Sequence, residues 1–567
     1  MKEIPSLQCC RLPMGRATRF SRFAAALAVA LAWTAIPATA QVGPKKADPG
    51  LKYIPADAHI VLSISLGQIL KKSGYETLAD LPGVKEQLAE IRKQSELAAK
   101  LLEAPELLGV DLDRPIHLFA KLTPSKDGPP SGWGGIVATP LSAKKFEQGL
   151  RDVVKEAAGL AGTKVLQQLR VEGGWNILDP EEAQGAASLS FNDEAIIIVG
   201  ADPTREGSPK APQLAVGVRG GKQPLGKAEA TFAGYLRNNP DAGGWMNFNS
   251  LMELAPDIPG EQLKKMRELL GNLRMAGAVN FLAGSIRADV LYSSDSDWLK
   301  KFGKSGPKKT LLNLVPQKAV ASGVYSFDMD ASRKWMKEEY LPALKNFGGP
   351  EGQQGFAFLE IMLMGATGLG VNDFIDMLGN EMMFTFVDLK KVGNEGPPKP
   401  SLLLGLTIAD DAKLGKLMAK LNEGEALKAM RGEGFDIVHQ KGRLFIGSEG
   451  MINVAKLGRV PGAVEGAQRG FFDKNDMALA VDFDLITRLA QDFDAPDEAI
   501  NALRRFSRFE VTGNWKQDHF SYGIELLFRD KQKNALRQIL DLAREVRGAG
   551  DEPPPKPQAR PKGIEKN

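Results

Sequence analysis

The chain carries one pattern twice. The segment Tyr53-Ile54-Pro55-Ala56-Asp57-Ala58-His59-Ile60-Val61-Leu62-Ser63-Ile64 returns as Leu314-Val315-Pro316-Gln317-Lys318-Ala319-Val320-Ala321-Ser322-Gly323-Val324-Tyr325, and the motifs after each copy recur in the same order. The copies open 261 residues apart (Pro55 to Pro316) and close 235 apart (Phe248 to Phe483), so the second has lost length. Loops are where such divergence accumulates. A duplicated chain must fold from a unit that can sit beside a copy of itself. The expected architecture is therefore α+β: two tandem homologous modules with mainly antiparallel sheets and packed helices, in a pseudo-two-fold arrangement. Residues 51–306 and 307–547 form the two modules, and at that size a split of each into two subdomains stays open.

After the shared opening, each copy has a helical region. Val84, Leu88 and Ile91 are spaced along one helix face, and Trp335, Met336 and Tyr340 sit comparably. Leu108-Gly109-Val110-Asp111 and Leu369-Gly370-Val371-Asn372 then lead to strands Ile116 to Leu122 and Met382 to Val387. Each strand enters a loop bearing Gly-Pro-Pro, at Gly128-Pro129-Pro130 and Gly396-Pro397-Pro398, and leaves by a second strand, Ile136 to Thr139 and Leu402 to Thr407. Helices come next at Ala143 to Lys155 and Ala412 to Leu421. A further hairpin matches Gly174 to Leu178 with Gly434 to Val438, and Ala195 to Gly200 with Arg443 to Gly447. Asn247-Phe248-Asn249 answers Asp482-Phe483-Asp484, both read as strands. The closing strands, Ala278 to Tyr292 and Phe509 to Phe528, alternate apolar and polar residues, which gives one face to a core and one to solvent.

Residues 1–40 read as a secretory signal peptide. Arg16, Arg19 and Arg22 precede the apolar run Phe23 to Ala35, and Ala38-Thr39-Ala40 supplies small residues for cleavage between Ala40 and Gln41. The run falls short of the roughly 20 residues a membrane-spanning helix needs. Met14 is an alternative start that leaves the mature chain unchanged. Cys9 and Cys10, the chain's two cysteines, lie in the leader, so disulfides, thiolate ligands and a cysteine nucleophile are absent from the mature protein, as is a lipoprotein cysteine after Ala40. Removing the leader leaves 73 − 5 = 68 basic and 69 − 1 = 68 acidic residues. A net charge of zero lacks the basic field of a nucleic-acid binder. The expected location is the periplasm or the medium. Residues 41–50 form a polar lead-in, and 548–567, with Pro553-Pro554-Pro555-Lys556-Pro557, form a tail without a core.

The usual signatures of chemistry are missing. His59, His117, His439 and His519 stand far apart, each in or beside a strand, with no zinc spacing, and none is assigned as a ligand. Gly221-Lys222-Gln223-Pro224-Leu225-Gly226-Lys227-Ala228 copies the spacing of a phosphate-binding loop but ends in Ala228 where magnesium needs a hydroxyl. It is read as a surface loop. No Gly-x-Ser-x-Gly elbow occurs. Asp330 is assigned as a helix cap, Asp482 and Asp484 to the polar face of a strand, and Asp492, Asp494 and Asp497 lack the pattern of a calcium loop. Trp133, Trp175 and Trp245 are scattered rather than set as a sugar platform, and Trp175 and Phe435 share an equivalent position. The apolar run Phe356 to Val371 is read as a buried segment.

Ile54 to Ile64, Lys72-Ser73-Gly74 after it, and Leu108-Gly109-Val110-Asp111 before a strand resemble a group of exported bacterial proteins of unknown function whose modules begin with a Pro-x-Asp-Ala strand. The likeness is clearest in the first half of copy one, and copy two has Gln317-Lys318 in place of Ala-Asp. The resemblance implies a cell-envelope location and carries no catalytic residue. The leading expectation is noncatalytic binding of an envelope ligand or protein partner in a cleft between the modules, without cofactor, metal, nucleic acid or a mature transmembrane segment. The alternatives are a hydrolase of envelope polymer or peptide using a carboxylate or serine site, and a structural or assembly protein.

Overall fold

The computed structural model describes residues 49–75, 84–94, 105–123, 131–202, 209–221, 224–225, 240–254, 260–296, 299, 306, 308–346, 349–392, 396–516 and 519–550. The expected signal peptide with its Ala40/Gln41 junction, Gly128-Pro129-Pro130 and residues 551–567 of the expected tail lie outside them, while residues 548–550, expected to begin that tail, instead end the last helix.

The N-terminal half begins β1 (Ile60–Ile64), α1 (Leu66–Ser73), α2 (Val84–Gln94), β2 (Ile116–Thr123), β3 (Ser131–Ala138) and α3 (Ala143–Leu166). It continues β4 (Arg170–Glu172), β5 (Trp175–Leu178), β6 (Ala187–Phe191), β7 (Ile196–Ala201) and α4 (Ala211–Gly220). It closes with β8 (Ala242–Asn247), α5 (Phe248–Met252), α6 (Gly260–Leu270), β9 (Arg274–Leu282) and β10 (Ser285–Ser293). The C-terminal half runs β11 (Ala321–Ser326), α7 (Met329–Trp335), α8 (Leu341–Asn346), α9 (Gly349–Thr367), α10 (Val371–Met377), β12 (Leu378–Val392) and β13 (Gly396–Ile408). Then come α11 (Asp411–Glu423), α12 (Glu425–Gly432), β14 (Phe435–His439), β15 (Arg443–Ser448), α13 (Glu449–Lys456) and α14 (Gly466–Lys474). Last are β16 (Met477–Asp482), α15 (Phe483–Asp492), α16 (Asp497–Leu503), β17 (Phe506–Lys516), β18 (His519–Phe528) and α17 (Ala535–Gly550).

The fold is mixed α+β, and its strands form one 18-stranded sheet in which every pairing between them is antiparallel. Across the sheet the N-terminal half reads β4-β5-β6-β7-β3-β2-β1-β8-β9-β10. The C-terminal half, starting from the join, reads β18-β17-β16-β11-β12-β13-β15-β14. The halves meet where β10 pairs with β18, Ser285 opposite Leu527 through Ser293 opposite His519, with Asp289 facing Gly523 at the middle. No gap in the sheet separates the halves.

Residues that face each other across a ladder point to the same side, and neighbours along a strand alternate. One face therefore carries Val61, Phe119, Val199, Trp245 and Ala276, buried under α4 and residues 49–53. In the C-terminal half the same face carries Val324, Met383, Phe445 and Ala478, buried under residues 311–315, α13 and α14. The opposite face is covered at its outer ends. Phe146 of α3 packs on Phe191 and Ile196 at one end, and Met377 of α10 with Leu414, Leu417 and Leu427 of α11 and α12 packs on Leu444 at the other.

Several expectations need correction. Asp482 and Asp484 do not alternate along a strand: β16 stops at Asp482, whose carboxylate accepts from the backbone N–H groups of Asp484 and Leu485 and so caps α15. Asn247 does the same for α5. The cap of α7 is Asp328 rather than Asp330, which pairs with Arg333 at 2.6 Å. Pro397 and Pro398 belong to the start of β13, where a missing N–H is tolerated, rather than to the hairpin tip. The hairpin match also slips. β14 lies beside β15, but β5 is separated from β7 by β6, so β14 stands where β6 does. Trp175 consequently packs edge-on against Tyr53 at 5.5 Å in a position that Phe435 does not share.

The join leaves little room. A Cβ on Gly523 would stand 2.8 Å from Thr512 Oγ1 and 3.0 Å from Asp289 Oδ1. Gly523→Val is expected to cost about 1–3 kcal/mol by overpacking, read as a lower midpoint in urea denaturation with unchanged slope; an unaltered midpoint would show that the join relaxes freely.

Candidate functional site

The strands at the join, β9, β10, β18 and β17, sort their side chains by chemistry. One face shows Asn280, Arg287, Asp289, Glu525, Glu510, Thr512 and Arg508. The other is apolar across all four: Met275, Gly277, Val279 and Phe281, then Ile286, Ala288, Val290 and Tyr292, then Phe520, Tyr522, Ile524 and Leu526, then Phe509, Val511, Gly513 and Trp515. The pairing extends this apolar face outward through Met246 and Leu62 on one side and Met477, Leu479, Tyr325 and Phe384 on the other.

The alternation suggested that the polar face would be the wet one. The structure differs. Asp289, Asn280 and Ser285 on the polar face are buried, with Asp289 only 6% exposed. The apolar face is buried at Val279, Ala288, Val511 and Gly513, and its larger side chains, including Tyr292, Tyr522, Ile524, Phe520 and Trp515, keep part of their surface exposed. Trp515 and Phe520 lie tilted against each other at 4.2 Å, with Tyr522 next along. The helix α17 packs against β9, β10 and α1 and borders the region.

Asp289 is the electrostatic anomaly of the join. It faces Gly523, and its Oδ2 has no hydrogen-bond donor. Burial pushes its carboxyl up to about 7, with Arg287 pulling weakly down and Glu525 pushing up. Glu510 is also raised, mainly by burial, although Arg508 Nε lies 2.8 Å from it. Arg287 stands 3.9 Å from Glu525. Arg287 and Arg508 thereby partly offset the acids beside them.

The residues singled out in the sequence are not brought together. His117 lies in the N-terminal core, its Nδ1 2.7 Å from Ser63 Oγ; His59 Nδ1 accepts from Leu122 N–H; His439 pairs with Asp411; His519 begins β18. Among the described residues no group of three or more histidine, aspartate or glutamate side chains is placed to hold a metal. Of the loop resembling a phosphate binder, Gly221 ends α4 and Pro224-Leu225 docks on Ile54 and Pro55. Trp133, Trp175 and Trp245 do converge, but as part of one hydrophobic core. The run Phe356 to Val371 is not buried: Phe358, Leu359, Ile361, Met362 and Met364 of α9 are all more than half exposed.

No family model, no curated protein and no solved structure matches this chain.

The Asp289 geometry fixes a pH dependence. An unfolded aspartate titrates near 4, so between about pH 4 and 7 the folded chain holds a proton that the unfolded chain has lost, and stability falls as pH rises through that window. The loss is at most about 4 kcal/mol. Carboxylates with lowered values, such as Asp376 and Asp541, weaken the fold only on further acidification. Asp289→Asn is expected to flatten the stability profile between pH 5 and 8, measured by chemical denaturation; a variant with the wild-type slope would remove Asp289 as its source.

Proposed function

We propose that this protein is an exported cell-envelope protein, built by duplication of one α+β module, which binds a long apolar ligand such as an acyl chain on the apolar face of the join and performs no catalysis. The observation that carries this reading is the uncharged, partly exposed surface of β9, β10, β18 and β17.

Such a surface offers aromatic rings and methionines, which adapt to flexible hydrocarbon. It offers no charge to fix a sugar, peptide terminus or phosphate. At about 0.8 kcal/mol per buried methylene, about ten methylenes supply about 8 kcal/mol before the cost of association, enough for useful affinity. The expected binding between modules is thereby kept in a changed form. The halves join as a continuous floor, and the ligand lies on that floor rather than in a gap.

Duplication is supported by devices that recur beyond the strand order. Asp241 accepts from Phe281 N–H and its carbonyl from Ser65 N–H; Asp476 accepts from Trp515 N–H and its carbonyl from Ser326 N–H. Each aspartate heads the strand whose far end, at Asn247 or Asp482, caps the next helix. On this reading the modules are residues 51–306 and 307–547, and the join is their pseudo-two-fold axis, passing near Asp289 and Gly523. Export rests on the leader and its Ala40/Gln41 junction.

Gly277 gives a direct test, because a Cβ there would meet nothing nearer than 3.6 Å. Gly277→Leu should therefore fold, with an unchanged or higher melting temperature, while filling the apolar surface. A fluorescent long-chain fatty acid titrated into the mature protein is expected to bind, and Gly277→Leu to weaken it at least tenfold. Wild-type protein that takes up no fatty acid, or a folded variant that binds it equally well, would end this reading.

A further inference from the structure

The helix α9 is built inside out. Among the described side chains of α9, only Phe356, Glu360, Leu363 and Thr367 turn toward the protein, at spacings of four and three that make one narrow stripe. Phe356, like Phe327 and Met336, packs on the buried cluster of Met329, Leu341 and Ile375, and Glu360, the sole charge between Phe356 and Thr367, is held inward 3.5 Å from Lys345. Phe358, Leu359, Ile361, Met362 and Met364 cover the rest, with exposures from 53% for Met364 to 70% for Ile361. A helix of a water-soluble surface does the opposite, placing charge outward and apolar residues in a stripe.

We infer that α9 docks this protein on a lipid bilayer, lying in the interface with its apolar arc among the acyl chains. The breadth of the arc decides between bilayer and protein. A partner protein covers one side of a helix, whereas here most of the circumference is both apolar and exposed, which suits a medium that surrounds it. Length decides between lying and crossing. Among the described residues no single helix is long and apolar enough to cross a membrane, and the continuation into α10 bends by 59°. Cations stand where headgroups would be: Lys345 beside the Phe356 ring at 4.6 Å, and exposed Lys416 and Lys420 on α11, which packs against α9.

The helix is also continuous with the apolar floor. Phe356 and Phe327 pack on the same buried cluster of Met329, Leu341 and Ile375, and the Phe327 ring lies 4.9 Å from Tyr325, part of that floor. Docking would thus bring the edge of the proposed ligand surface to the membrane. The docking itself does not depend on the ligand reading.

The test uses the mature full-length protein and sedimentation with phosphatidylcholine vesicles, with and without phosphatidylglycerol. Wild type is expected to sediment with vesicles, more so with the anionic lipid, and the triple variant Phe358→Ser, Ile361→Ser, Met362→Ser to lose at least tenfold in partitioning with an unchanged melting temperature. Ile361→Trp should show tryptophan fluorescence quenched by brominated acyl chains, which reports depth and not mere adhesion. Gly277→Leu should sediment like wild type, so failure of the ligand reading leaves this result untouched. Wild type remaining in the supernatant with both vesicles would overturn the inference. So would a dimer in solution that the triple variant converts to monomer, since a second copy would then be what covers α9.

Discussion

The backbone pairing of β10 with β18 holds the architecture together. Nine facing residue pairs join the last strand of one half to the last strand of the other, and because the chain enters each half by its middle strand, β1 or β11, both outer edges lie far from the join. Two sheets that would otherwise each end in an exposed edge, with unpaired N–H and C=O groups, cover one another. The pairing also sets the faces. Once Asp289 is opposite Gly523, every ladder outward from the join carries the same face through both halves. A slip of one residue would turn one half over relative to the other.

This constraint explains the unusual placement of charge. Two halves meeting edge to edge put the polar sides of four strands next to each other, on the face where both halves bury their larger cores, and Asp289, Asn280 and Ser285 are buried there. Asp289 is buried there without a donor for Oδ2 and keeps its proton to about pH 7, while Arg508 and Arg287 partly balance Glu510 and Glu525. The apolar sides of the same strands face the other way, toward the side on which α3 covers one outer end of the sheet and α10 to α12 the other. Among the described residues, the larger side chains of that hydrocarbon surface keep part of their area exposed. The exposed arc of α9 adds a second such surface, linked to the first through Phe356, Phe327 and Tyr325. On the proposed reading these two surfaces are what meets lipid and what holds it.

The α+β class and most of the strand and helix positions are legible in the residues alone, because alternation and helical spacing are local properties that each segment must satisfy without its neighbours. Val84, Leu88 and Ile91 fall within α2, and the alternating stretches around Tyr292 and Phe528 are β9, β10, β17 and β18. Local patterns failed where a residue's role depends on what comes next or on a distant partner. Asp482 reads as a strand residue until the helix it caps is seen, and β6 takes the place beside β7 that matching had given to β5. Three features belong to the packed molecule and to nothing local: the halves share one sheet, the polar face of the join is the buried one, and the apolar run of α9 points outward. Periodicity tells which residues share a face. It does not tell which face is covered, since that is fixed by helices and strands hundreds of residues away packing, or failing to pack, against it.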